Sequence, residues 1–326
     1  MSSSPSLPPL QIKVIGHRGS GASDSKFNRD RDTKYRTHRE AEGTLLSHYK
    51  ALSSGADGIE LDAIETADGY IVCTHADEVQ QHILTDFTPS QPYIGRMQYQ
   101  EVKDIPVGPH GSGRIPLLKE IFQMVMTDFP GRYVNVELKG KQKNFDDGRD
   151  TSPSLAEKVL KVVEETAFPL HQIVFSSFSH MYLKELRALS SKAQIGILYN
   201  VFKPAGTDLR LFREPCDDVY HPFTQSSLEF SLRSVENISS VHPEIRTVTA
   251  DLIKTLVDHN IRRLACWAWC EYSPLHHSED SEEFVAAAKN AIDLCREFGL
   301  QELWIITDHV EDMRRFLQRD PERQQI

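Results

Sequence analysis

The residues with the clearest chemical potential lie between Gly55 and His75, in the stretch GADGIELDAIETADGYIVCTH. Within it, Ile59-Glu60-Leu61-Asp62 reads as a short buried strand with carboxylates at alternate positions. Residues two apart on a strand share a face, so Glu60 and Asp62 converge while Ile59 and Leu61 turn the other way. Two acids among buried apolar residues are costly unless a cation sits between them. Ala67-Asp68-Gly69-Tyr70 supplies a hairpin turn, Ile71-Val72-Cys73 a second short strand, and His75 stands at its exit. Glu137 and Lys139 repeat the two-residue spacing on a later strand. Glu60, Asp62 and Glu137 together would form one face of an oxygen-rich site, which suits Mg²⁺ or Ca²⁺ rather than Zn²⁺. Arg18 and Lys139 would add fixed positive charge for an anionic substrate. A metal with Arg and Lys around one point is what phosphoryl chemistry requires, because negative oxygens must be neutralised while a P–O bond breaks.

Positioning these groups calls for an alternating fold. Ile12 to Ile15 is a strand ending at Gly16-His17-Arg18-Gly19, and a helix follows from Thr44 to Ser53. After the hairpin, Gln80 to Arg114 carries Pro89, Pro92, Pro106 and Pro109 and reads as an inserted subdomain. Strands are then expected at Tyr133–Leu138, Gln172–Phe175, Gln194–Leu198, Asp218–Tyr220, Arg263–Trp267 and Glu302–Ile306. Helices are expected at Leu117–Asp128, Leu155–Thr166, Tyr182–Leu189, Val248–His259 and Phe284–Phe298. Eight parallel strands with intervening helices predict an α/β fold of the (β/α)8 TIM-barrel type, with a small insertion after the second strand. No dinucleotide-binding or Walker phosphate loop favours an open sheet. The long polar connections, Ser20–Glu40, Lys141–Pro153, Asn200–Pro215 and Cys270–Ser281, follow strands, which places elaboration on the face where a barrel does its chemistry.

The 326-residue chain accommodates one such domain, expected at 12–315 with the insertion at about 76–114, between a flexible tail at 1–11 and a polar one at 316–326. A net charge of -10 argues against nucleic acid or an anionic membrane surface as main partner. The N-terminal residues lack a basic region followed by an apolar run, and no stretch approaches the roughly 20 apolar residues of a membrane span. The five cysteines are odd in number and fit reduced thiols in a cytoplasmic protein.

Several residues also have plainer readings. Glu137 and Lys139 could form a surface ion pair, which stabilises little. Trp267 is a core residue or a binding wall, with Trp269 competing for that role. His221, His276 and His277 read as structural or solvated, and the charged stretch Lys26 to Arg39 as a solvated loop or a lid over an anionic headgroup.

Val14-Ile15-Gly16-His17-Arg18-Gly19, Gly55 to Asp62, Thr66 to Gly69, His75, Ile115 to Glu120, Val136-Glu137-Leu138-Lys139, Ser176-Ser177-Phe178, Trp267 and Ile305 to Asp308 occur in the order of one known pattern. In these segments, spanning nearly the whole chain, the sequence resembles the glycerophosphodiester phosphodiesterase family. The resemblance implies a TIM barrel, a divalent cation (Mg²⁺ or Ca²⁺) held at Glu60, Asp62 and Glu137, and an acid/base pair at His17 and His75. It further implies phosphate binding by Arg18 and Lys139, a pocket that includes Glu42 and Trp267, and hydrolysis of small-molecule glycerophosphodiesters to glycerol 3-phosphate and an alcohol. Ala41-Glu42-Gly43-Thr44 stands where the family shows Pro-Glu-Asn-Thr, Asp77 comes one place later than the family's His-Asp pair, and Ala-Trp-Cys follows Trp267. Phospholipase D-like action on lysophospholipids or sphingolipids, and a catalytically silent phosphodiester-binding barrel, are the alternative expectations.

Overall fold

Short β-branched runs alternate along the chain with helices that each carry one apolar stripe, and the two periodicities assemble into a closed barrel. The computed structural model describes residues 9–21, 40–75, 90–108, 113–139, 154–199, 223–267 and 279–319. Strands β1 (Gln11–Gly16), β2 (Gly58–Glu65), β4 (Tyr133–Leu138), β5 (Ile173–Ser177), β6 (Gln194–Leu198), β7 (Ser240–His242), β8 (Arg263–Trp267) and β9 (Glu302–Thr307) are parallel neighbours. Pairing of β1 with β9 at one side and with β2 at the other closes the eight into a ring. Strand β3 (Ile71–Cys73) lies outside the ring, antiparallel to the end of β2, with Ala63 opposite Cys73.

Helices cover the outside of the ring. In α3 (Leu118–Asp128), Leu118, Ile121, Phe122 and Val125 are buried at helical spacing. The Phe122 ring stacks on Phe168 at 4.5 Å, so truncation to Ala would cost about 3–5 kcal/mol. Thr44, Ser154, Ser179, Thr224 and Thr249 cap α1 (Leu45–Ser53), α4 (Leu155–Thr166), α5 (His180–Leu189), α6 (Gln225–Ser234) and α7 (Ala250–Asp258), each hydroxyl accepting from a first-turn backbone N–H. Ile15, Val174, Ala265, Trp304 and Ile306 fill the barrel interior, with Tyr133 and Trp267 packed against them. Between β3 and α3, the short helix α2 (Tyr99–Val102) belongs to a small separate core in which Ile94, Met97, Val102 and Ile105 pack on Ile64 and Val72.

Three expectations change at the element level. The stretch 218–220 lies outside the described residues, and the ring position between β6 and β8 is taken by Ser240–His242. Three residues with only one aliphatic, Val241, leave almost no periodic signal. Helix α9 (Val310–Arg319) runs into the span read as a polar tail, because Val310, Met313 and Leu317 form a narrow buried stripe among charged residues. Helix α8 (Glu279–Phe298) also begins before Phe284. Among the described residues no helix is long and apolar enough to cross a membrane.

Candidate active site

All of β2 is buried, and its alternation separates two environments. Ile59, Leu61 and Ala63 point into the core shared with the helices, while Glu60 and Asp62, only 4% and 3% exposed, point to the barrel mouth. Register places Asp62 beside Glu137 on β4. Carboxylate oxygens of Glu60, Asp62 and Glu137 consequently lie within 4.8 Å of one another.

The turn leaving β1 brings the imidazole and guanidinium to this cluster. The His17 N–H donates to the Thr307 carbonyl at 3.0 Å, which ties the turn to the end of β9. Arg18 adopts a left-handed φ of 49°, a conformation that costs a non-glycine residue about 1–3 kcal/mol. In that conformation its backbone N–H donates to Glu60 Oε2 at 3.0 Å, and its side chain reaches Glu42 at 3.2 Å and Asp62 at 3.7 Å. Gly19 follows with φ 87°, and a Cβ there would come within 2.5 Å of Ser47 Oγ, so the turn is pressed against α1. Ser47 Oγ in turn donates to the Arg18 carbonyl at 3.1 Å.

His17 Nδ1 lies 2.6 Å from Asp308 Oδ1, and His17 Nε2 lies 3.9 Å from Glu60 Oε2. A Cβ on Gly21, whose φ is 102°, would come within 2.6 Å of the Asp308 Cβ and 2.7 Å of its carbonyl oxygen, so glycine lets the two backbones approach this closely. Lys139 Nζ sits 2.7 Å from Glu137 and 3.3 Å from Asp62, with the side chain 4% exposed. The surface ion-pair reading of Glu137 and Lys139 therefore gives way to a buried one.

The electrostatics follow from burial and crowding. Burial and the neighbouring Asp62 push the Glu60 carboxyl well above its ordinary value. Burial also opposes ionisation of Asp62, but Lys139 and Arg18 outweigh it and hold that carboxyl low. Burial disfavours a charged His17, yet attraction to Asp308 leaves its pKa raised overall. Five carboxylates, Glu42, Glu60, Asp62, Glu137 and Asp308, thus meet two permanent cations, Arg18 and Lys139. This excess of converging hard oxygen donors fits a divalent cation of the Mg²⁺ or Ca²⁺ type.

The structure thereby gathers His17, Arg18, Glu42, Glu60, Asp62, Glu137 and Lys139 from four segments of the chain. His75 is half-buried just beyond β3, where the Thr74 N–H bonded to the Asp62 carbonyl at 3.0 Å keeps this segment beside the end of β2. Trp267 is half-buried at the end of β8 and spends its indole N–H on the His242 carbonyl at 3.1 Å. Asp308 is the site residue to which the sequence reading assigns no role. Its signal was there, an acid immediately after the strand that neighbours His17, but that pairing requires knowing that β9 closes the ring against β1.

Comparison with known proteins bears on the fold and the family. Residues 17–312 match the model of the glycerophosphoryl diester phosphodiesterase family. A glycerophosphodiester phosphodiesterase of Caldanaerobacter subterraneus subsp. tengcongensis is 30% identical over 196 residues, 58% of this chain and 68% of that protein. One from Bacillus altitudinis is 27% identical, over 48% of this chain and 60% of its own length. Among solved structures, a glycerophosphodiester phosphodiesterase of Parabacteroides distasonis superposes with a TM-score of 0.61 at 17% identity, covering 95% of this chain and 98% of that one. An Oleispira antarctica phosphodiesterase, solved with the product sn-glycerol-3-phosphate, gives 0.59 at 18% identity, covering 96% and 97%. The chain belongs to the glycerophosphoryl diester phosphodiesterase family.

Proposed function

With family membership as premise, we propose that the chain hydrolyses small, water-soluble glycerophosphodiesters to glycerol 3-phosphate and an alcohol, with a divalent cation on Glu60, Asp62 and Glu137 and with His17 and His75 as the acid/base pair. The observation that carries this reading is the convergence of three buried carboxylates beside an imidazole already oriented by Asp308. The phosphodiesterase of Oleispira antarctica, solved with sn-glycerol-3-phosphate as its product, supports glycerol 3-phosphate as the phosphomonoester formed while the alcohol leaves.

When bound, the cation, Mg²⁺ or Ca²⁺, supplies charge neutralisation and polarisation at a phosphoryl oxygen. Arg18 and Lys139 stand beside the same carboxylates and share the neutralisation of substrate oxygens. In the tautomer with Nδ1–H, His17 donates a hydrogen bond to the Asp308 carboxylate, and Nε2 is left to take or give the proton that moves in the reaction. His75 takes the complementary role, and imidazole suits both because it titrates near neutral pH. Burial of the cluster strengthens each of these interactions relative to water. Glu42 holds the Arg18 guanidinium in place, and Trp267 forms part of the wall at the mouth.

The substrate preference rests on where apolar side chains are placed. Gripping an acyl chain needs contiguous exposed apolar surface, since each buried CH₂ contributes about 0.8 kcal/mol. In the insertion, Ile94 and Met97 are spent in its own core, at 0% and 1% exposure. Phe87 and most of the polar loops at 20–40 and 270–281 lie outside the described residues. Free, buried Cys73, Cys266 and Cys295 are consistent with a cytoplasmic setting, which is part of the same proposal, as is a single domain over 12–315. A substrate panel tests the reading: at saturating Mg²⁺ and again at saturating Ca²⁺, glycerophosphocholine and glycerophosphoethanolamine should exceed lysophosphatidylcholine and sphingomyelin in kcat/KM. A higher value for lysophosphatidylcholine would overturn the substrate assignment.

A further inference from the structure

At the opposite end of the barrel, a pocket of about 690 Å³ opens between the N-terminal ends of the strands. Its volume lies in the range of roughly 300–1,000 Å³ that accommodates small organic ligands. Glu302 is held between Lys13 Nζ at 2.5 Å and Arg263 Nε at 2.6 Å, which neutralises it within the wall. The Arg263 guanidinium lies 4.3 Å over the Trp304 ring and donates through Nη1 to Gln194 Oε1 at 3.0 Å. Arg263 is 8% exposed, so this cation is fixed in place by the barrel floor rather than splayed into solvent.

Two donors in this setting remain unspent among the described residues. Nε and Nη1 of Arg263 are engaged, which leaves the Nη2 group. The neighbouring Arg262 lines the pocket with an exposed side chain that enters no ion pair with a described residue. Lys13, Arg262 and Arg263 against Glu302 give the lining an excess of two positive charges, on a chain whose net charge is -10. The Nη2 group of one guanidinium and the whole of a second, both lining one pocket, suit the oxygens of a tetrahedral oxyanion, and an excess of two charges matches a dianion.

We propose that this N-terminal mouth is an anion-binding pocket for a phosphate monoester of small organic size, held by Arg262 and Nη2 of Arg263. It is separate from the carboxylate cluster and independent of the proposed hydrolysis. Calorimetric titration of the full chain with inorganic phosphate, in EDTA and at about 0.15 M salt, tests it in the wild type and in Arg262→Glu. The wild type should show a saturable binding event that Arg262→Glu lacks, while the variant keeps its far-UV circular dichroism and its hydrolysis rate with metal restored. Absence of binding in the wild type, or the same stoichiometry and affinity in Arg262→Glu, would overturn the assignment.

Discussion

Asp308 holds His17 from behind: the carboxylate lies 2.6 Å from Nδ1, and the opposite ring nitrogen faces Glu60 at 3.9 Å. One face of the imidazole is thus committed to orientation and the other to chemistry. Asp308→Asn keeps a hydrogen-bond acceptor but removes the charge that raises the His17 pKa. We predict a fall in kcat of about tenfold or more. The limb of the pH–rate profile that belongs to His17 should also move to lower pH, whether that residue acts as acid or base. An unshifted profile would show that Asp308 does not tune His17.

His17→Ala and His75→Ala should each lower kcat by about a hundredfold or more while leaving divalent-metal affinity largely unchanged, because neither imidazole belongs to the carboxylate set. Steady-state kinetics paired with metal titration separates the two effects. Near wild-type turnover in His75→Ala would remove that residue from the mechanism.

His48 on α1 is fully buried, neither ring nitrogen has a hydrogen-bond partner among the described residues, and burial pushes its pKa down to about 4. His242 is depressed in the same direction, to about 3. Below the unfolded value of about 6.5, the unfolded chain takes up a proton that the folded chain refuses until far lower pH. Stability contributed by the neutral ring is therefore complete above pH 6.5 and lost as pH falls toward 4. Each such histidine costs about 1.4 kcal/mol per pH unit within that window. His48→Phe should lose less stability than the wild type in urea unfolding between pH 7 and pH 5, and parallel losses would refute the assignment.

Most of the barrel was legible in the sequence because strand and helix periodicities are local. Ile59 to Asp62 announces both its burial and its carboxylate face, and Leu118 to Val125 announces its stripe. What was hidden depends on closure. Ser240–His242 is too short to show a period and is held in the sheet by neighbours distant in sequence. The charged surface of α9 conceals a stripe of three buried residues. At the site, alternation along β2 and β4 pointed to the acids, but the Asp308–His17 contact joins residues 291 apart in the chain. The left-handed turn at Arg18, which aims its N–H at Glu60, is likewise a consequence of packing against α1 rather than of local preference.

The central claim is that Glu60, Asp62 and Glu137 hold a divalent cation on which hydrolysis depends. Its most direct test is release of glycerol 3-phosphate from glycerophosphocholine by metal-stripped protein, followed through stepwise addition of Mg²⁺ or Ca²⁺, in the wild type and in Glu137→Gln. At a hundred times the dissociation constant, bound metal adds about 2.7 kcal/mol to stability, so the thermal midpoint should rise together with turnover. We predict no turnover in EDTA, saturable recovery on adding metal, and loss of both the recovery and the midpoint rise in Glu137→Gln. Full turnover in EDTA, with elemental analysis showing no metal on the protein, would contradict the account.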